Sequence, residues 1–387
     1  MQKFILGLLS VFLIVSCKKN NDSTGTNPDE DDCAVSAPVS NGEIIASQYI
    51  IAFNPVINSR TTSRMSLDEM SKNILHRNTI NVSALKNSFA GEPGGFIAKM
   101  TAAQAEALRH DASVEAVEPD RIISLGSCFT VVAPRLITWN INKVGYGNGI
   151  GKTAWIIDSG IDFDHPDLTV DESRSRSFIS GISSADDSNG HGTHVAGIIG
   201  AKNNSFGVLG VASGASLVAL KVLDKDGEGN LSYIIQAMAY INTNAAAGDV
   251  VNMSVGGESS SEILDQQVKN TAARGVYFAI AAGNEGKLAN TSSPARANGL
   301  NIYTVTAVDS LDNFASFSNY GNDVVDFAAP GVRILSTWTE NRYAYASGTS
   351  MAAPHVAGLL LLRGRSITSL GTAKNDPDGT ADLIAHY

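Results

Sequence analysis

Ala154-Trp155-Ile156-Ile157-Asp158-Ser159-Gly160 starts with four apolar residues in succession and ends on an acid, a serine and a glycine. A strand with one solvated face alternates apolar and polar residues; an unbroken apolar run needs cover on both faces. Runs of the same kind recur at residues 216–223, 250–255, 276–281 and 302–308. Each is followed by polar or glycine-rich residues and, in most cases, by a helical pattern. Apolar strands alternating with helices predict an α/β fold, a doubly wound parallel sheet with helices on both faces. Ligands of such sheets lie beyond the carboxyl ends of the strands, so the chemistry is expected there.

Four segments answer that expectation. Asp158 ends the first run. His191 opens His191-Gly192-Thr193-His194-Val195-Ala196-Gly197, a helix start. Asn284 follows another run within Gly283-Asn284-Glu285-Gly286. Ser350 lies in Gly348-Thr349-Ser350-Met351-Ala352-Ala353-Pro354-His355, just before an apolar helical stretch at 356–362. An acid, an imidazole, an amide and a hydroxyl at strand ends or helix starts form the inventory for nucleophilic acyl transfer.

In the order Asp, His, Ser these segments resemble those of the subtilisin-like serine proteases, and the likeness covers most of 150–360. Residues 47–124, including Val117-Glu118-Pro119-Asp120-Arg121, resemble the inhibitory pro-domain of that family. The resemblance implies that Ser350 is the nucleophile, His191 its base and Asp158 the acid that orients the imidazole. It also makes the Asn284 amide and the Ser350 N–H the donors to an oxyanion. His194 and His355 are then packing or helix-face residues, and His165 is a turn residue. Ser254-Val255-Gly256-Gly257 resembles the family's strand that pairs with the peptide and lines the primary pocket. Residues 223–229, with Gly227, resemble the opposite edge, so a peptide would lie between two edges by strand addition. Glu285 resembles a residue near the pocket floor and hints at tolerance of basic side chains. Residues 201–210 resemble a calcium loop. Asp167, Asn204 and the carbonyls of Lys202, Phe206 and Val208 would supply oxygens to a structural calcium, a donor set better suited to calcium than to zinc.

The remaining sequence sets the context. A chain of 387 residues, 43% hydrophobic and 17% charged, reads as globular, with one large domain and a smaller one. Its formal charge is −10, and no Lys/Arg block is interleaved with aromatics, so nucleic acid is not an expected partner. Residues 1–16 read as a signal peptide: Lys3 precedes an apolar run of 12 residues, 4–15, too short to span a bilayer comfortably. Ile14-Val15-Ser16-Cys17 resembles the lipobox of bacterial lipoproteins. That implies cleavage before Cys17, lipidation of its thiol and a membrane anchor on the cell envelope. An ordinary cleaved signal, giving a secreted protein, is the other reading.

Residues 17–45 are a polar tether with the acidic run Asp29-Glu30-Asp31-Asp32. Residues 46–124 read as a ferredoxin-like β-α-β-β-α-β unit, in which a strand near Phe89 is not distinct. Residues 130–387 form the expected peptidase domain, although the stretch after Arg363 carries little pattern. Cys33 and Cys128 either pair, which would tie the enzyme to its anchor, or stay as thiols.

The expected protein is thus an exported, monomeric, self-processed endopeptidase acting through an acyl-enzyme. Its partners are protein or peptide substrates and its own pro-domain, with cleavage between Arg121 and Pro134. Ester hydrolysis would be a side reaction. The alternative is a catalytically silent surface-binding lipoprotein on the same fold.

Overall fold

The computed structural model describes residues 42–55, 66–124, 128–131 and 136–387, with backbone alone at 124 and 128–131. The signal segment, Cys17, Cys33 and nearly all of the tether lie outside the described residues, and so do the expectations attached to them.

The N-terminal unit runs β1 (Ile44–Phe53), α1 (Leu67–Arg77), β2 (Leu85–Phe89), β3 (Gly95–Lys99), α2 (Ala102–Leu108) and β4 (Val114–Ser124). Ser66 and Thr101 cap the two helices, each in a reciprocal box with Glu69 and Gln104 respectively. The sheet order is β4-β1-β3-β2, the ferredoxin-like one. The strand that the sequence left indistinct is β2, an edge strand with Lys86 and Asn87 exposed, Leu85 and Ser88 half-buried and only Phe89 buried. Both faces of β1 are covered. Ile51 and Phe53 pack with Ile74, Leu75 and Leu108 of the unit's own helices. Ile50 and Ala52 face the other way, into a cluster with Ile234, Ile235, Leu264 and Val268 of the larger domain.

The larger domain begins with β5 (Cys128–Val131), α3 (Trp139–Val144), β6 (Gly147–Asn148), β7 (Thr153–Asp158) and β8 (Arg176–Ser177). There follow α4 (His191–Gly200), β9 (Ala212–Ser213), β10 (Ser216–Lys221), β11 (Glu228–Asn230), α5 (Leu231–Asn244), β12 (Val250–Met253), α6 (Glu262–Ala273) and β13 (Tyr277–Ala281). Last come β14 (Ile302–Val308), β15 (Val325–Pro330), β16 (Ile334–Trp338), β17 (Arg342–Ser347), α7 (Thr349–Arg363), β18 (Thr368–Thr372) and β19 (Leu383–His386).

Nine strands form one sheet in the order β18-β19-β15-β14-β13-β12-β7-β10-β8, parallel except for the β18–β19 pair. All five apolar runs of the sequence lie in it. Side chains alternate across it: Ala154 and Ile156 of β7 join the cluster built on α4 and α7, while Trp155 and Ile157 join the one built on α5 and α6. Buried apolar surface on both faces is why these runs do not alternate. Less legible were β15, the antiparallel hairpin β16–β17, and β19, which extends the sheet beyond β15.

Candidate active site

Asp158 is the last residue of β7, at the carboxyl end of the sheet, and is wholly buried. Its carboxylate oxygens lie 2.8 and 3.0 Å from Nδ1 of His191, the first residue of α4. A carboxylate can only accept, so the Nδ1 position carries the proton.

The start of α4 is tightly held. Gly190 has φ +118°, and a Cβ there would stand 2.2 Å from the Trp338 indole, so only glycine fits. Every N–H of the first turn has an acceptor. His191 donates to Asn189 Oδ1 (3.1 Å), Gly192 to Ser159 Oγ (2.9 Å), Thr193 to Asp187 Oδ2 (3.0 Å) and His194 to the Gly190 carbonyl (2.9 Å).

Asp187 is the centre of this arrangement. It also accepts from Gly190 N–H (3.0 Å), Ser159 Oγ (2.9 Å) and Thr193 Oγ1 (2.6 Å). One buried carboxylate therefore joins the residue after Asp158 to the helix start that carries His191. Lys221, in register beside Asp158 on β10, is also buried and donates through Nζ to the Ser159 carbonyl. Burial lowers its pKa, against the pull of Asp187 and Asp158. The sequence reading missed both residues. An Asp just ahead of a helix start was the available signal for the first, and a Lys inside an apolar strand for the second.

Ser350 is the second residue of α7. The sequence placed the apolar helix at 356–362; the helix starts at Thr349 and runs through Pro354. Pro354 has no N–H, so the Ser350 carbonyl four residues earlier loses its helical donor. Ser254 Oγ takes that place at 2.9 Å, and Ser350 Oγ donates to the Ser254 carbonyl at 3.2 Å. The nucleophile candidate is thereby locked to the end of β12. The Ser350 N–H finds no acceptor among the described residues.

Asn284 lies three residues beyond β13. Its Oδ1 accepts from Thr349 N–H (2.8 Å) and Thr349 Oγ1 (2.9 Å), which fixes how the amide is turned. Ser350, Thr349 and Asn284 share a pocket of about 160 Å³ with Ser254, Val255, Gly256 and Glu285. A cavity of about 150 Å³ holds one benzene ring, so this one suits a single side chain. Glu285 Oε2 accepts from Asn319 Nδ2 at 2.7 Å.

Gly227 sits in the turn before β11, and β11 itself pairs antiparallel with the end of β4 (Glu228 with Ser124, Gly229 with Ile123, Asn230 with Ile122). The N-terminal unit's own last residues thus occupy this edge. Further along the chain, β5 pairs with β17, Cys128 opposite Ser347, immediately before α7.

The comparisons with known proteins accord with this geometry. Residues 151–366 match the model of the subtilase family (Peptidase_S8). The chain belongs to the subtilase family. Its residues 48–126 match the peptidase inhibitor I9 model, the family's inhibitory pro-domain. A thermostable alkaline protease of Halalkalibacterium halodurans is 40% identical over 273 residues, 68% of this chain and 71% of that protein. An alkaline serine protease of Corniculantispora psalliotae is 34% identical over 84% of this chain and 85% of its own. The crystal structure of a cold-adapted subtilisin-like serine proteinase aligns with TM-score 0.56 at 32% identity, covering 65% of this chain and 98% of that one. This subtilase is accordingly a serine endopeptidase.

The other histidines of the subtilase domain are engaged elsewhere. His194 Nε2 donates to the carbonyls of Ile334 and Ala344, both at 3.0 Å, and burial lowers its pKa to about 3. His355 Nδ1 donates to the Met351 carbonyl, and burial lowers its pKa to about 4. His165 Nε2 donates to the Arg342 carbonyl at 3.2 Å.

The calcium expectation meets a closed loop. Asp167 Oδ1 accepts from Asn204 Nδ2 (2.7 Å), and Oδ2 accepts from Val208 N–H (3.0 Å) and Tyr343 OH (3.2 Å). Asn204 Oδ1 accepts from Phe206 N–H, and the Lys202 carbonyl accepts from Asn204 N–H. Three of the five expected donor residues, Asp167, Lys202 and Asn204, thus already accept from protein N–H or O–H groups, an arrangement that does not itself form a cation shell. Among the described residues no group of three or more His, Cys, Asp or Glu is placed to hold a metal.

Proposed function

We propose that the subtilase cleaves peptide bonds through Ser350, with His191 as base and Asp158 as its orienting carboxylate. The observation that carries this is the buried Asp158–His191 pair at 2.8 Å, set in a domain whose Ser350 and Asn284 share one pocket. His191 takes the Ser350 proton as Oγ attacks the substrate carbonyl, then returns it to the leaving amine. Asp158 stabilises the imidazolium formed in between. The Ser350 N–H and the Asn284 amide donate to the oxyanion, and water then resolves the acyl-enzyme by the same route in reverse.

The first bond cut is the chain's own. The end of β4 lies on the β11 edge, and β5 pairs with β17, the strand immediately before α7 and Ser350. This supports cleavage between Ser124 and Cys128, a narrower window than the 121–134 of the sequence. After it, residues 46–124 remain as a docked inhibitor. Export and anchoring through a lipid on Cys17 complete the proposal and rest on the N-terminal sequence alone.

Purified Ser350→Ala protein should keep its N-terminal unit covalently attached, while wild type separates into two fragments. Cleavage at the wild-type rate in that variant would refute self-processing. A detergent phase that retains wild type and loses Cys17→Ser tests the anchor.

A further inference from the structure

We infer that Asn319 is a positioning residue for the oxyanion donor Asn284, an assignment that rests on the role of Asn284 proposed above. Asn319 is wholly buried and lies between β14 and β15, distant in sequence from the loop it holds. That loop is 282–287, which follows β13 and carries Asn284. It has no regular partner strand.

The Val305 and Phe317 carbonyls take the loop's Ala282 and Gly286 N–H groups, and Asn319 holds the rest of the loop with one side chain. Its Oδ1 accepts from the N–H groups of Glu285 (3.1 Å) and Lys287 (3.0 Å). Its Nδ2 donates to the Ala282 carbonyl (3.0 Å) and to Glu285 Oε2 (2.7 Å). Its own N–H donates to the Gly283 carbonyl at 2.9 Å. Two backbone N–H groups on one side and a carbonyl with a carboxylate on the other leave a single sensible orientation of the amide. Both donor hydrogens and the oxygen are used, and they grip the loop on either side of Asn284. The fit is close, since a Cβ on Gly283 would stand 2.2 Å from Asn319 Nδ2.

Asn284 is therefore set from two directions. Thr349, next to the nucleophile, fixes how its amide is turned, and Asn319 fixes where its backbone stands. An oxyanion donor is effective only when aligned before the charge forms, and a misplacement of about 1 Å can cost about 100-fold in rate. Asn319 touches no substrate in this scheme; it acts through Asn284.

The test is a double-mutant cycle on the full-length, self-processed enzyme with Asn319→Ala, Asn284→Ala and the double variant. Active sites are titrated with a fluorophosphonate, so only folded, Ser350-competent molecules are counted. Asn284→Ala alone is expected to lower kcat by about 100- to 1000-fold, a magnitude taken over from a subtilisin. Asn319→Ala should lower kcat per titrated site by about 10- to 100-fold with KM within twofold. In the Asn284→Ala background the same change should cost less than about threefold, because the donor it positions is gone. Asn319→Asp keeps the two N–H bonds but turns a carboxylate on Glu285, so it is combined with Glu285→Gln, and the pair should recover part of kcat if Asn319→Ala folds poorly. A full cost in both backgrounds, a change in KM alone, or unchanged kcat per site would overturn the clamp. If Asn284→Ala itself were silent, the oxyanion reading would fail and the clamp with it; a silent Asn319→Ala beside a damaging Asn284→Ala removes the clamp only.

Discussion

The two helices that carry the proposed base and nucleophile begin in opposite ways. At the start of α4 every first-turn N–H is satisfied inside the protein, three of them by side chains of Asn189, Ser159 and Asp187. At the start of α7 the Thr349 N–H is taken by Asn284, yet the Ser350 N–H has no acceptor among the described residues. A helix N-terminus carries partial positive charge, and a capping carboxylate neutralises it. The α4 end is spent on rigidity, which holds His191 against Asp158. In the proposed mechanism the α7 end is left to meet an oxygen that gains charge only during reaction. Two further helices show a third use. Glu118 of β4 accepts from Ile263 N–H at the start of α6, and Asp120 accepts from Ser232 N–H at the start of α5. There the caps belong to the N-terminal unit, so they leave when it leaves.

Substitutions can break or sharpen this contrast. The largest effect is expected from Ser350→Ala or His191→Ala, each lowering kcat by about 10⁶-fold, a magnitude taken over from a subtilisin. Steady-state kinetics on a peptide substrate checks it, using enzyme processed in trans. Next comes Asp187→Asn at the saturated end. It removes charge from five hydrogen bonds and leaves the Lys221 ammonium buried beside a neutral amide. Destabilisation of about 3 kcal/mol is expected, with kcat reduced in the titrated enzyme, read by denaturant unfolding and by kinetics. An unchanged midpoint would mean that the capped start of α4 is not what holds the site.

The borrowed caps predict a smaller effect. Glu118→Ala and Asp120→Ala should each weaken docking of the cleaved N-terminal unit by about 0.5–2 kcal/mol without altering the liberated enzyme. Burial raises the carboxyl pKa of both residues above the ordinary range, with the hydrogen bonds to Ser261 and Ser232 acting the other way. A raised pKa in the docked state means that docking is strongest below the free carboxyl pKa and weakens as pH rises through the docked values. Dissociation of the processed complex should thus be faster at neutral than at mildly acid pH. The charge of Asp265, which is held by Arg296, pushes the Glu118 carboxyl the same way. The smallest effect concerns the Asp167 loop. Its oxygens already have protein donors, so a chelator should leave the unfolding midpoint unchanged through this site, and Asn204→Ala should lower the unfolding free energy by about 1 kcal/mol.

Much of this was readable before any coordinates. The apolar runs gave the sheet, because strands buried on both faces cannot hide in a periodic pattern. Asp158 and Asn284 stood out because each follows an apolar run, His191 and Ser350 because each stands at or just before a helical stretch. What stayed hidden was polar and buried. Asp187, Lys221 and Asn319 act through contacts set by tertiary packing; an Asp ahead of a helix start and a Lys in an apolar strand hint at the first two, and nothing local marks Asn319. The helix α7 starts earlier than the apolar stretch 356–362 and runs through Pro354, although a proline inside a helix is normally a break. Here the carbonyl it leaves unpaired is the one that Ser254 needs. The strand β2 was faint because an edge strand with exposed residues lacks the apolar signature of a core one.

The central claim is that Ser350 is made nucleophilic by His191 in a site aligned in advance. Intact-mass and peptide-mapping analysis after fluorophosphonate treatment tests it most directly. One adduct, located on Ser350, abolished in His191→Ala and slowed in Asn284→Ala, is the predicted result. An adduct elsewhere, or equal labelling of Ser350 with and without His191, would contradict the account.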